Sequence, residues 1–117
     1  PGNPSGHRVI GFAVGQNASL VPADFQAWHA EEDNQFWLGY ELTQPRPADP
    51  YSDWQYECAA WQARIDAERF GFALDREHIV GHESTEQGKR WGKSDPGDKA
   101  KGGQWDWYRF LDLLLAG

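Results

Sequence analysis

The chain has 117 residues, enough for one domain around a single core. Eleven Lys and Arg stand against 18 Asp and Glu, a formal net charge of −7, so there is no cationic excess with which to hold nucleic acid. A lone cysteine, Cys58, excludes an internal disulfide, and no stretch approaches the roughly 18 apolar residues that cross a bilayer.

No secretory leader is visible, and the chain opens Pro1-Gly2-Asn3-Pro4-Ser5-Gly6 without Met. His7 to Val14 reads as a strand with Val9, Ile10, Phe12 and Val14 as its apolar content. Gly15-Gln16-Asn17 signals a turn, and Ser19-Leu20-Val21 can pair back as a hairpin before Pro22. Phe25 leads into Trp28-His29, where Trp28 reads as core with one edge free for a groove. Glu31-Glu32-Asp33 is a solvated acidic stretch.

Phe36, Leu38, Tyr40 and Leu42 alternate with Trp37, Gly39 and Glu41, the period of two of a strand. That places Glu41 on the face opposite the Phe-Leu-Tyr-Leu row. Pro45, Pro47 and Pro50 exclude helix and central strand from the next segment. Ser52 with Gln55 forms a capping-box pattern. Trp54, Cys58, Trp61 and Ile65 then recur at helical spacing as an expected core stripe, over about five turns, with Gly71 as the stop.

Leu74 to Glu77 reads as a connection, and His78-Ile79-Val80 as a short strand delivering His82 to a long polar segment, residues 82–97. Unstructured stretches of that length are uncommon in small domains unless they build a site. Asp95-Pro96-Gly97 closes it as a turn. Asp98 to Gly103 reads as charged and flexible. Trp105 to Leu115 reads as a second helix with an apolar stripe of Trp107, Phe110, Leu111, Leu114 and Leu115, expected to pack on the sheet. The fold class that follows is α/β, a mixed sheet of about four strands flanked by helices, in one domain over residues 1–117. Seven Trp, four Tyr and six Phe supply core area and faces that stack on sugar rings.

His82, Lys93 and Asp95 are residue types that do chemistry together. An imidazole and a carboxylate suit zinc, which takes three protein ligands in hydrolytic sites and keeps a fourth position open. A lysine beside them can face a developing oxyanion. Spacing alone favours a plainer reading, a hydrogen-bonded histidine and an aspartate opening a turn.

The motifs say more. Val80-Gly81-His82-Glu83 followed by Lys93-Ser94-Asp95-Pro96-Gly97 resembles the signature of zinc-dependent N-acetylmuramoyl-L-alanine amidases of the type 2 family, which includes phage endolysins, wall-recycling amidases and peptidoglycan recognition proteins. Asn34-Gln35-Phe36-Trp37-Leu38-Gly39-Tyr40-Glu41-Leu42 resembles the family's strand carrying the general base. Ala27-Trp28-His29-Ala30 is similar to the segment before it.

The resemblance implies an amidase/peptidoglycan-recognition-like fold and a Zn2+ cofactor held by His82 and Asp95. It also implies Glu41 as general base, Lys93 as transition-state lysine, and Trp28 and His29 at the substrate. His7 falls at a non-ligand histidine of the family. Tyr40 stands where the family usually has Ile, which alters packing rather than chemistry.

A further zinc histidine of the family, on an upstream strand, has no counterpart in residues 1–29, so the N-terminal strand is expected to be missing and the domain incomplete relative to the family. Three explanations compete: the chain is part of a longer protein, His29 or His7 completes the site, or the domain binds peptidoglycan without cutting it. The resemblance thus implies a monomeric peptidoglycan hydrolase cleaving between N-acetylmuramic acid and L-alanine, acting on the bacterial cell wall as a phage endolysin or secreted enzyme. The alternative is a catalytically inactive peptidoglycan-binding module; an aromatic-rich carbohydrate-binding domain ranks last. No nucleic-acid or membrane partner is expected.

Overall fold

A computed structural model of the chain describes residues 8–19, 40–46, 49–81, 84 and 96–116. Among the described residues three short strands, β1 (Arg8–Ile10), β2 (Asn17–Ser19) and β3 (Tyr40–Leu42), form one mixed sheet in the order β2-β1-β3. β1 runs antiparallel to β2 and parallel to β3, with Val9 opposite Ala18 on one side and Glu41 on the other. Two helices follow, α1 (Asp53–Phe70) and α2 (Trp107–Ala116), with a 3-10 turn at Lys99–Lys101 between them. This is the expected α/β class. No helix among the described residues is long and apolar enough to cross a membrane.

The hairpin forms, but the chain leaves β1 sooner than the alternation suggests. The Gly11 N–H donates to the Gln16 carbonyl (2.9 Å) and the Gln16 N–H to the Ala13 carbonyl (3.1 Å). A Cβ at Gly11 would stand 2.2 Å from the Gln16 side chain, so this turn needs glycine there. Phe12 and Val14, expected inside a strand, are exposed on the turn. β2 begins at Asn17, two residues before the expected start, and Leu20 and Val21 lie outside the described residues.

Helix α1 is bounded by the expected signals. The Ser52 hydroxyl accepts from the Gln55 N–H (3.3 Å) and the Gln55 side chain accepts from the Ser52 N–H (3.0 Å), a complete capping box. Gly71 ends the helix in the left-handed region at φ 76°, and its N–H reaches the Ala67 carbonyl.

The buried face is not the expected stripe. Cys58 is buried, but Trp61 is 53% exposed and Ile65 42%. The helix instead buries Ala59, Ala60, Ala63 and Ala67 with Gln55, Gln62 and Asp66. Small residues let the helix lie close, and its three polar side chains meet polar groups of the strands and of one another.

Two more expectations are corrected. His78-Ile79-Val80 is not a strand. The Asp75 carboxylate accepts from the Glu77 and His78 N–H groups (both 3.0 Å) and the Asp75 carbonyl from that of Ile79 (2.9 Å), winding the segment into turns. Asp98 to Gly103, expected as a plain charged connection, forms a hydrogen-bonded turn: Asp98 caps the 3-10 turn by accepting from the Ala100 N–H (2.9 Å), and Gly102 closes it at φ 95°.

Helix α2 packs mainly on α1 rather than on the sheet. Trp107, Phe110 and Leu114 are buried, while Leu115 is exposed. Trp105, just before α2, stacks on Tyr56 of α1 at 4.4 Å and meets Tyr51, Phe110 and Trp107 at 5.2, 5.4 and 6.1 Å. Aromatic pairs of this kind contribute about 0.5–1.5 kcal/mol each beyond their buried area, so this cluster holds the two helices together. The Tyr56 hydroxyl also accepts from the Asp106 N–H (2.9 Å), tying α1 to the start of α2.

Candidate functional site

Glu41 sits in the middle of β3. Its neighbours Tyr40 and Leu42 pack against the core, so the pleat sends Glu41 to the opposite, exposed face. Among the described residues its carboxylate has no hydrogen-bond or ion-pair partner, so it is not a glutamate salt-bridged at a strand end.

The inner face beneath it is fixed by a buried polar cluster that sequence reasoning missed. Asp66, fully buried on α1, accepts from Arg8 at both oxygens, Nε to Oδ2 at 3.0 Å and Nη2 to Oδ1 at 2.9 Å. The Tyr40 hydroxyl donates to the same Oδ2. Gln62 Nε2 donates to Oδ1 (3.3 Å), and Gln62 Oε1 accepts from Asn17 Nδ2 (3.4 Å). One helix face thus reaches all three strands. The hydrogen bond to Asp66 pushes the Arg8 pKa up, and burial together with Asp66 pushes the Tyr40 hydroxyl well above the usual tyrosine range. The signal in the sequence was a carboxylate at Asp66 four residues after Gln62 in an alanine-rich helix.

Arg8 and Tyr40 are register partners, so the cluster also sets how β3 pairs with β1. A slip of one residue would turn Glu41 toward the helix.

The carboxyl ends of β1 and β3 meet the start of α1. Gln55, fully buried, donates its amide to the Ile10 carbonyl (3.2 Å) and the Thr43 carbonyl (2.5 Å). The Ser52 hydroxyl donates to the Phe12 carbonyl (2.6 Å). Just before it, the Tyr51 hydroxyl donates to the carbonyl of Pro96 (3.3 Å), the residue after Asp95. On the other approach to the polar segment, Ile79 packs on the core and Gly81, before His82, is buried.

His82, Lys93, Asp95, Trp28, His29 and His7 lie outside the described residues. The structure therefore places Glu41 and the chain on either side of residues 82–95, and brings none of the other expected site residues together. Among the described residues no group of three or more His, Cys, Asp or Glu side chains stands ready to hold a metal. Cys58 lies in the core with its thiol pKa raised by burial, and exposed His78 contacts Asp75 (2.7 Å). The donor chemistry of His82 and Asp95, an imidazole and a carboxylate, suits zinc.

A family model described as N-acetylmuramoyl-L-alanine amidase matches residues 2–98, most of the chain. No curated protein and no solved structure matches significantly.

Proposed function

The chain belongs to the N-acetylmuramoyl-L-alanine amidase family, and on that premise we propose that it hydrolyses the amide between N-acetylmuramic acid and L-alanine in bacterial peptidoglycan. The observation that carries this reading is the free, exposed carboxylate of Glu41 on the sheet face away from α1. A general base must be open to water and substrate, and the Glu41 carboxylate is exposed and unpartnered among the described residues.

In this reading Glu41 accepts a proton from the attacking water and returns it to the leaving amine of L-alanine. A positioned base of this kind contributes roughly 10²–10⁴-fold. The Lys93 ammonium faces the oxyanion of the tetrahedral intermediate, where a preorganised charge acts most strongly. His82 and Asp95, with a third ligand, would hold zinc, which would supply a Lewis acid and ease deprotonation of water. Trp28 and His29 line the groove that takes the sugar and the first stem residue. Action at the bacterial cell wall, as an endolysin or a secreted enzyme, follows from that substrate.

The test is digestion of purified muropeptides in the presence of zinc, followed by mass spectrometry. The expected products are a lactyl-bearing glycan and a stem peptide with a free L-alanine amine. Glu41→Gln should abolish them while leaving the thermal midpoint unchanged. Cleavage that survives Glu41→Gln would remove the base from this mechanism. Tight binding with unchanged ligand mass in the wild-type chain would make the domain a binding module.

A further inference from the structure

Charge is sorted along this chain by residue type. All four lysines, Lys89, Lys93, Lys99 and Lys101, fall within residues 89–101 together with Arg90. That segment has five cations against two acids, a local +3, while the rest of the chain carries −10.

The six arginines outside it are all engaged. Arg8 pairs with Asp66, Arg46 with Asp49 and Arg109 with Asp53. Arg64 donates to the Leu113 carbonyl (2.8 Å). Arg69 and Arg76 lie over the rings of Phe70 and Trp107. Lys99 and Lys101 are exposed, and among the described residues neither ammonium has an acidic partner. The structural cations are arginines; the two described lysines hold nothing in the fold.

The turn that carries these lysines is rigidly anchored. The Asp98 carbonyl accepts from the Lys101 N–H (2.9 Å) and the Gly103 N–H (2.8 Å). The Lys99 N–H donates to the carbonyl of Trp105 (2.8 Å), a residue of the aromatic core. Lys99 follows Asp95 by four residues, so their Cα atoms are at most ~14 Å apart. A three-residue peptide spans ~10 Å, a length comparable to the greatest separation of this turn from Asp95.

We propose that Lys99 and Lys101 form an anion-receiving edge of the substrate site and take the carboxylates of the peptidoglycan peptide stem. The assignment rests on the reading of the chain as a peptidoglycan amidase. It accounts for how a protein of net charge −7 would take an anionic substrate: the segment that carries Lys93 and Asp95 has a net charge opposite in sign to that of the rest of the chain.

The test measures binding of a soluble muropeptide with free stem carboxylates by calorimetry, in a Glu41→Gln background so that ligand is not consumed. Lys99→Glu/Lys101→Glu should raise Kd by about tenfold, as removing and reversing two exposed charge pairs implies. It should also flatten the dependence of Kd on salt between ~50 and ~300 mM. Lys99→Arg/Lys101→Arg should bind like the parent. The same muropeptide with amidated carboxylates should bind the parent and the Glu variant alike.

Equal Kd for parent and Glu variant on the free-carboxylate ligand would overturn the proposal. So would a loss seen only with sacculi that retain phosphodiester polymers, which would assign the lysines to those polymers. Parallel mass analysis of ligand incubated with the wild-type chain reports on the amidase reading separately. Binding that obeys the lysine pattern without any cleavage would sink that reading alone.

Discussion

Arg8 on β1 and Asp66 on α1 form a two-pronged ion pair across the buried seam between sheet and helix, with both contacts at or below 3.0 Å. Tyr40 on β3 shares the carboxylate. Removing Asp66 would take the carboxylate from a guanidinium and the acceptor from a phenol. Asp66→Ala should cost about 3–5 kcal/mol in urea unfolding, and Asp66→Asn distinctly less. Against a total of about 5–15 kcal/mol for a domain, that loss is large. An Arg8→Met/Asp66→Leu double variant should be more stable than Asp66→Ala, since no guanidinium is then left without its carboxylate and the volume is refilled, although Tyr40 still loses its acceptor.

Tyr40 gives the pair a pH signature. Its hydroxyl keeps its proton in the folded chain above pH 10.0, where an unfolded tyrosine loses it. The folded state then binds more protons than the unfolded, so the contribution is complete below pH 10.0 and declines as pH rises beyond it. Tyr40→Phe should lower stability near neutrality by about 1.5–3 kcal/mol, the size of a hydrogen bond to a charged group. It should also show a shallower alkaline decline than the parent. Tyr56 and Cys58, whose pKa values are raised as well, are present in both proteins and cancel from the comparison. Unfolding curves from about pH 8 to 11.5 would check both.

Gly103 backs directly onto the turn that follows Asp95. A Cβ there would stand 2.2 Å from the Gly97 carbonyl carbon and oxygen, a backbone contact that cannot rotate away. Gly103→Ala should cost about 1–3 kcal/mol as overpacking. If Asp95 is a zinc ligand, the same variant should bind zinc more weakly in calorimetry, whereas Ala100→Gly, an exposed change in the same turn, should not.

The faces of α1 predict opposite responses to size. Ala63 is buried, so Ala63→Leu should destabilise by about 1–3 kcal/mol. Trp61, the larger residue, is 53% exposed, so Trp61→Gln should cost less. Thermal melts of the two variants would rank them.

That reversal marks the limit of what was legible. Local signals were reliable: the capping box at Ser52 and Gln55, the stop at Gly71 and the hairpin turn each depend on neighbouring residues alone. The alternation around Glu41 placed it on the outward face. The α1 stripe misled because hydrophobicity stood in for burial. The strands present Arg8 and Tyr40 to the helix, and those groups call for a carboxylate, a demand set by residues 26 and 58 positions away. His78–Val80 misled because the side chain of Asp75 outcompetes strand pairing. Of the candidate site, Glu41 was legible by pattern. His82, Lys93 and Asp95 were singled out by motif and lie outside the described residues; the ties of Tyr51 and Gln55 to distant backbone carbonyls left no local mark in the sequence.

Gly81 is buried and Pro96 is held by Tyr51, so the polar segment between them is fastened to one core at both margins. The entropy of closing such a span grows only with the logarithm of its length, about 0.6 kcal/mol per doubling. Variants lengthened or shortened between His82 and Lys93 should therefore unfold at nearly the parent's urea midpoint while the margins hold. The fold is in this sense a socket, and a transplanted segment from another member of the family should seat in it without refolding the rest.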